Sequence, residues 1–463
     1  MDQKEDKKQP NIIWFIVDQM RGQAMSHRGD PNVQTPNLDL LAAQGVTFPN
    51  ALAGTPLCSP FRGSLVTGQY PHRSTVPGHD FPLAEDMPTI AHAFRAQGYR
   101  TCWIGKWHLD GKRPGMNMKL EENQPHRRKI PAERRGGFED WWAYENNNRP
   151  FNCWIHTDRD GETVSYRLPG YETDCLTDIM IDWLKKQVNE RANQPFFGVL
   201  SVQPPHVPYI APAENMRNYN PAKLELRRNV PQVGWVLDRA RRELAGYYAA
   251  IERIDWNMGR LRAALEELGL DNNTYIIFFS DHGDMLGSQG QFWKTNPWEE
   301  AIRIPFIVSG PDNSHQIYVD VQAPLNHVDI APTTLGLCGI EKPPQMVGTD
   351  YSRYIFRWLP AWDVPLHDQS YLDFPDSAYL SLPVPTLHPD STDRPWRGLV
   401  TRDGWKYVVL EGQPWLLYNL NDDPYEQVNL AHNTRFNRQR RILHERLSQW
   451  VQDTGDEFKL PNF

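Results

Sequence analysis

Several short stretches of this chain combine residue types that handle anions and divalent cations. In Leu57-Cys58-Ser59-Pro60-Phe61-Arg62 a cysteine stands four residues before an arginine, with a proline between them and the small residues Gly63 and Ser64 behind. Asp18 and the pair Asp281-His282 each follow an apolar run directly. Carboxylates delivered by two different strands to one sheet edge make a cation site. Gly105-Lys106-Trp107-His108 sets a cation two residues before an imidazole, and prolines fix the backbone on both sides of His206 in Pro204-Pro205-His206-Val207-Pro208. Each stretch alone has a plainer reading. A lone cysteine is more often buried and inert, an aspartate after a strand often caps a helix, and a lone histidine near a strand end is more often a core residue. Their coincidence in one chain favours chemistry.

The elements that must position these residues are legible from apolar runs. Ile12 to Val17, Phe196 to Val202 and Thr274 to Ser280 are short, continuous and rich in β-branched and aromatic residues, as strands buried on both faces are. Amphipathic segments between them (Asn37–Gln44, Thr89–Gln97, Asp174–Lys186 and Leu237–Leu268) read as helices. Strands alternating with helices predict an α/β sandwich, and polar residues just past the strand ends then fall at the carboxyl edge, where such sheets place ligands. Arg113 to Arg135 reads as a long basic surface loop. The Pro-rich stretch Val364 to Asp393 marks a boundary between a catalytic α/β domain, residues 10–365, and a C-terminal subdomain, residues 366–463. In the latter, Gly398 to Leu410 reads as a hairpin turning at Asp403-Gly404, Trp415 to Leu420 as a strand, and Phe436 to Val451 as a closing helix.

A net charge of −8 argues against affinity for nucleic acid or anionic membrane. Five scattered cysteines without a CxxC pair form neither a disulfide framework nor a zinc site. The charged start Met1 to Pro10 has no apolar core like that of a secretory signal, and no run is long enough to span a membrane. The sequence as written predicts a cytoplasmic protein, or a periplasmic or secreted one if a signal has been removed. Seventeen Trp and 18 Tyr suit a carbohydrate-stacking cleft, although most of them belong to a core.

The stretch Cys58 to Gly68 resembles the C-x-P-x-R element of the type I, formylglycine-dependent sulfatases of the alkaline phosphatase superfamily. Gly105 to Leu109, Pro205 to Pro208, Ser280 to Asp284 and Asp422 to Ala431 resemble further elements of the same family. The resemblance implies an alkaline-phosphatase-like fold, a large mixed sheet sandwiched by helices with a smaller antiparallel sheet and helix. It implies that a formylglycine-generating enzyme oxidises Cys58 to an aldehyde, whose hydrate attacks sulfur with one hydroxyl and expels sulfate with the other. By the same resemblance Arg62 orients that group, Lys106 binds sulfate, His108 hydrogen-bonds the formylglycine, His206 protonates the leaving oxygen, and Lys294 contacts sulfate and leaving oxygen. Asp18, Gln19, Cys58, Asp281 and His282 would hold one divalent metal. Calcium is the first expectation. Gln19 and His282, where many sulfatases carry Asp and Asn, resemble choline sulfatases and phosphonate monoester hydrolases and leave manganese or another divalent metal open. His79 stands where relatives often carry a substrate-contacting Asn. The basic loop, with Arg127, Arg128, Lys129, Arg134 and Arg135, is read either as a site for a second sulfate or a uronate, with Arg134 and Arg135 as its substrate-binding residues, or as a run that is simply solvated, and Trp141-Trp142 as either sugar subsite or core. The expected activity is sulfuric ester hydrolysis on a sulfated carbohydrate, an oligosaccharide before a small sulfated molecule. The alternatives are a phosphonate monoester or phosphodiester hydrolase, a choline-sulfatase-like enzyme, or a catalytically silent binding protein of the same fold.

Overall fold

A computed structural model describes residues 9–113, 115–192, 194–311, 319–356, 374–384 and 394–462. Ten strands form one mixed sheet: β1 (Asn11–Asp18), β2 (Gly45–Thr47), β3 (Arg100–Lys106), β4 (Asp140–Tyr144), β5 (Trp154–Arg159), β6 (Glu162–Arg167), β7 (Phe196–Pro205), β8 (Thr274–Ser280), β9 (Phe306–Ser309) and β10 (Val319–Asp320). Their order is β10-β2-β9-β8-β1-β7-β3-β4-β5-β6. The centre is parallel: β1 pairs with β7 and β8, and β3 with β7 and β4. Antiparallel partners (β9, β5, β6) flank it.

Every residue of β1 is buried, because side chains alternate between two separately packed faces. Ile12, Trp14 and Ile16 enter one core with Phe61, Leu65 and Phe94 from the helices Cys58–Thr67 and Ile90–Ala96. Ile13, Phe15 and Val17 enter the other with Leu176 and Met180 from the helix Glu172–Arg191 and Tyr247, Ile251 and Ile254 from the helix Gly234–Glu267. This double burial explains why the central strands read as unbroken apolar runs. The three strands and four helices anticipated from sequence are all present, with ends shifted by up to five residues.

Strands β11 (Ser377–Leu382), β12 (Trp396–Thr401), β13 (Trp405–Leu410) and β14 (Gln413–Asn419) form an antiparallel sheet in sequence order, and the helix Asn437–Thr454 packs on it. The turn at Asp403-Gly404 places Gly404 at φ 88°, a conformation that favours glycine. The domain boundary expected near residue 365 lies outside the described residues.

The small sheet is tied to the large one by charge as well as by packing. Lys406 of β13 is fully buried and reaches Glu426 at 2.6 Å and Glu299 at 2.7 Å, while Glu426 accepts the backbone N–H of Glu299 at 2.7 Å. Burial opposes charge on Glu299, but Arg303 and Lys406 outweigh it and hold the pKa down at about 2. Removing the cation from such a cluster leaves buried carboxylates uncompensated. Lys406→Met is therefore expected to lower stability by about 3–5 kcal/mol, read as a shift in the urea midpoint. A loss below about 1 kcal/mol, the size of an exposed pair, would show that the cluster does not hold the sheets together.

Candidate active site

The chemical residues collect at the carboxyl ends of the central parallel strands. Asp18 ends β1, Lys106 ends β3, His206 follows β7, and Asp281-His282 follows β8. Cys58 begins a ten-residue helix that is buried throughout, so both Cys58 and Arg62, one turn on, face the same edge.

Around Cys58 Sγ lie Lys294 Nζ at 3.1 Å, His282 Nε2 at 3.1 Å and Asp18 Oδ1 at 3.6 Å. Lys106 Nζ donates to Asp18 Oδ2 at 2.6 Å. Arg62 bridges both carboxylates, at 3.4 Å from Asp18 and 3.0 Å from Asp281, and its remaining donors reach Ser201 Oγ and the Lys106 carbonyl. Arg62, Lys106, Asp18, Gln19, Asp281 and His282 are all wholly buried. Burial opposes ionisation of the Cys58 thiol, yet Lys106, Lys294 and His282 outweigh it and hold its pKa well below the usual thiol value. The position occupied by the sulfur is thus an anion-favouring point, and Sγ marks where an oxygen of a modified side chain would stand.

One ligand atom from each of Asp18, Cys58, Asp281 and His282 lies within 4.8 Å of the others. Burial and the Asp18 charge push Asp281 up to about 6 against the pull of His282 and Arg62, the effect of two carboxylates crowded in a buried site. His282 donates Nδ1–H to the Gly283 carbonyl at 2.9 Å, which aims Nε2 at the cluster; burial lowers its pKa but Asp281 and Cys58 outweigh it and raise it, so Nε2 becomes a ligand on giving up its proton. These residues fit a hard divalent cation with mixed oxygen and nitrogen ligands.

Two residues without an assigned role in the sequence reading complete the cluster. Asp284 accepts from the Gln19 side-chain amide and from Tyr209 Oη at 2.7 Å, and its other oxygen accepts the backbone N–H of Trp293 at 3.0 Å. Because Gln19 Nε2 donates to Asp284, its Oε1 must face the site, where Lys294 meets it at 3.0 Å. Asp284 thereby sets the orientation of one candidate ligand and of the loop carrying Lys294. Asp284 closes the Ser280 to Asp284 stretch and Tyr209 directly follows Pro208, but their pairing spans elements far apart in sequence.

Three partly exposed histidines line the open side. His206 donates Nδ1–H to the Val207 carbonyl at 2.6 Å, and its Nε2 meets Lys294 Nζ at 2.8 Å. Burial, then Lys294, lowers its pKa. His108 lies with its ring 5.1 Å from that of His79, and burial followed by Lys106 lowers its pKa well below the imidazole value. Gln19, His108, Trp293 and Thr295 all hold positive φ, a strained conformation for such side chains that persists only where the surroundings over-determine it.

Arg134 and Arg135 are a correction. Arg134 reaches Asp110 at 2.6 Å and Glu85 at 2.8 Å. Arg135 is 3% exposed on its side chain, paired with Asp158 at 2.5 Å, and donates Nε to the Ile130 carbonyl. Their guanidinium donors pin the loop to the body and present no free fork to a substrate. Trp141 is buried against Trp107 with ring centroids 5.5 Å apart, which places it in the core.

A buried cation cluster around one nucleophile position, beside a ligand set for one divalent ion, defines an ester hydrolase acting on a compact oxyanion. The family model for sulfatases matches residues 10–340, and the chain belongs to that family. Among its relatives, the ulvan-active sulfatase of Formosa agariphila is 34% identical over 99% of this chain and 84% of its own. The endo-4-O-sulfatase of Bacteroides thetaiotaomicron is 32% identical over 76% and 74%. A solved structure named as sulfatase yidJ from Bacteroides fragilis superposes with a TM-score of 0.83 at 28% identity, covering 99% of this chain and 98% of that one. The family expected from Cys58 to Arg62, and the fold it implied, are the ones found.

Asp284→Asn replaces a carboxylate with an amide that can offer N–H to the Gln19 side chain, and so releases its orientation. Affinity for a divalent cation at this cluster is expected to fall about tenfold to a hundredfold, measured by titrating calcium and manganese into metal-stripped protein. Unchanged affinity would show that Gln19 takes no part in cation binding.

Proposed function

We propose that this sulfatase removes sulfate from a sulfated carbohydrate, in the form of an oligosaccharide, with Cys58 acting after conversion to formylglycine. The observation that carries this reading is the set of three buried cations, Arg62, Lys106 and Lys294, gathered around position 58. A sulfate ester needs several donors fixed around one small anion, because preorganised charge in a water-poor site stabilises the charge that develops during transfer. The carbohydrate part rests on the relatives, of which one is named as ulvan-active and another as an endo-4-O-sulfatase.

Asp18, Gln19, Asp281 and His282 would hold the metal, calcium first and manganese or another divalent ion otherwise. When bound, such an ion polarises sulfate oxygens and lowers the pKa of a coordinated hydroxyl. Arg62 holds the two carboxylates in register. Lys106 and Lys294 approach the sulfate from two sides. His108, kept neutral, accepts a proton at the residue 58 side chain. His206 and Lys294 share a hydrogen-bonded proton at the leaving-group side, and that pair supplies it to the departing sugar oxygen. His79 faces the substrate beside His108. Maturation requires a formylglycine-generating enzyme as partner.

Asp18-Gln19 and His282 also favour a second reading, hydrolysis of phosphonate or phosphate esters. Rates on 4-nitrophenyl sulfate and on an aryl phosphonate ester separate the two. A large preference for sulfate is expected, and a large preference for phosphonate would reverse the assignment.

The proton role predicts a dependence on leaving group. His206→Ala should slow release of sulfate from a sugar alcohol by about 10²–10⁴-fold, yet slow 4-nitrophenyl sulfate far less, because nitrophenolate departs without a proton. Equal losses on both substrates would assign His206 to binding.

A further inference from the structure

The basic loop holds a site that the mechanism above does not use. Arg113, Arg127, Arg128, Lys129 and Ser165 line a cavity of about 570 Å³, with Glu121 and Glu122 also on its wall. Two of these cations have donors to spare. Arg127 lies flat on the Trp154 ring, 3.6 Å from its centroid, and its only ion-pair partner among the described residues is Glu121 at 3.7 Å, a side chain 79% exposed. Arg113 touches Asp110 at 3.4 Å, while its Nε is buried and has no partner among the described residues. Lys129 donates to the Thr163 carbonyl at 2.7 Å and is otherwise exposed. Arg128, by contrast, is buried and taken up by Asp110 and the Gly111 and Asn123 carbonyls, so it shapes the wall.

Behind Ser165 lies His156, 1% exposed, with Nδ1 2.8 Å from Ser165 Oγ and Nε2 unpartnered among the described residues. Burial, then Lys129, Arg127 and Arg135, push its pKa down to about 4, so the imidazole is neutral and adds no charge of its own. An unpartnered buried guanidinium Nε and a guanidinium stacked on an indole, both on the wall of one cavity, are what a bound oxyanion would complete. Arg held flat on an aromatic ring presents its edge donors to a carboxylate or sulfate in a fixed plane.

Sheet register fixes where this cavity lies relative to Cys58. Lys106 pairs with Tyr144, Ala143 with His156, and His156 with Ser165. Trp154 therefore begins β5 at the same edge of the sheet at which Lys106 ends β3, two strands from Lys106 and four from Asp18 beside Cys58, or about 10 Å and about 20 Å at ordinary strand spacing. Asp110, which anchors both Arg113 and Arg128, follows His108 by two residues. The cavity thus flanks the catalytic edge at a distance that a short oligosaccharide of a few sugars spans.

We propose that the cavity lined by Arg113, Arg127, Lys129 and Ser165 is a second anion site, which takes the carboxylate or sulfate of another sugar on the chain whose sulfate ester lies at Cys58. The proposal rests on the sulfated-carbohydrate reading and makes the enzyme selective for chains carrying two anions over singly charged substrates. It moves the second anion from Arg134 and Arg135, which are engaged elsewhere, to the residues preceding them in the same loop.

The test uses protein carrying Cys58→Ala, which binds without turnover, titrated calorimetrically with three probes: a tetrasaccharide with a sulfated sugar at one end and a uronic acid at the other, the same tetrasaccharide with its carboxyl reduced to an alcohol, and a tetrasaccharide sulfated at both ends without a uronate. Adding Arg127→Ala and Lys129→Ala should weaken binding of the doubly anionic probes about tenfold to a hundredfold and leave the carboxyl-reduced probe unaffected. Which doubly anionic probe loses more identifies carboxylate or sulfate as the preferred anion. Arg438→Ala with Arg441→Ala, exposed on the C-terminal helix, removes the same net charge and should change nothing. Equal binding with and without Arg127 and Lys129, an equal loss in the charge control, or no binding of any tetrasaccharide overturns the proposal. Turnover of 4-nitrophenyl sulfate, measured with Cys58 intact, reports separately. It should survive loss of Arg127 and Lys129, and its absence in the parent protein would count against the sulfatase reading instead.

Discussion

Three cations and two carboxylates buried around one side chain are the constraint on which the rest of this structure depends. Arg62, Lys106, Asp18 and Asp281 have no exposure to solvent, and Lys294 has almost none. Removing such charges from water costs several kcal/mol for each ion unless hydrogen bonds and opposite charges offset it. Asp18 is the hub: it receives Lys106 at 2.6 Å and Arg62 at 3.4 Å and sits beside the Cys58 sulfur. Arg62, Lys106 and Lys294 crowd the residue 58 side chain from different elements, and their combined field is what holds position 58 ready for an anion.

Such a cluster demands a rigid frame. It is built where β1, β3, β7 and β8 end together, on strands buried on both faces, with Cys58 and Arg62 on a helix that is itself buried throughout. The strained backbone at Gln19, His108, Trp293 and Thr295 is local to the site, at a cost on the order of 1–3 kcal/mol for each residue. The two cores beneath the sheet and the Lys406 anchor of the small sheet supply the stability against which that strain is held. The small sheet reaches the site side of the molecule directly, since Leu52, Leu57 and Ile302 of the catalytic part pack with Leu380, Trp396 and Val408.

Sequence carried the parts of this arrangement that are local. Apolar runs located β1, β7 and β8, the Asp-Gly pair located the hairpin, and motif spacing located Cys58, Arg62, Lys106, His206 and Asp281. What it missed depends on contacts between distant segments. Arg134 and Arg135 read as available cations because nothing nearby in sequence reveals that Asp110, Glu85 and Asp158 fold onto them. The hold of Asp284 on Gln19 bridges 265 positions, and Tyr209 joins it from a third segment. The fate of Trp141 turned on Trp107, a partner that no periodicity announces. Local chemistry is written in neighbouring letters, whereas the competition for each charged group is decided by the fold.

The central claim is that this cradle surrounds a carbonyl made from Cys58 and not a thiol. Peptide mass spectrometry across residue 58, on protein produced together with a formylglycine-generating enzyme, tests it directly when paired with sulfate release from the same samples. A peptide lighter than the cysteine form by about 18 Da, in a fraction that rises and falls with specific activity, is the predicted result. Full sulfate ester turnover by protein whose residue 58 is entirely unmodified thiol would contradict it.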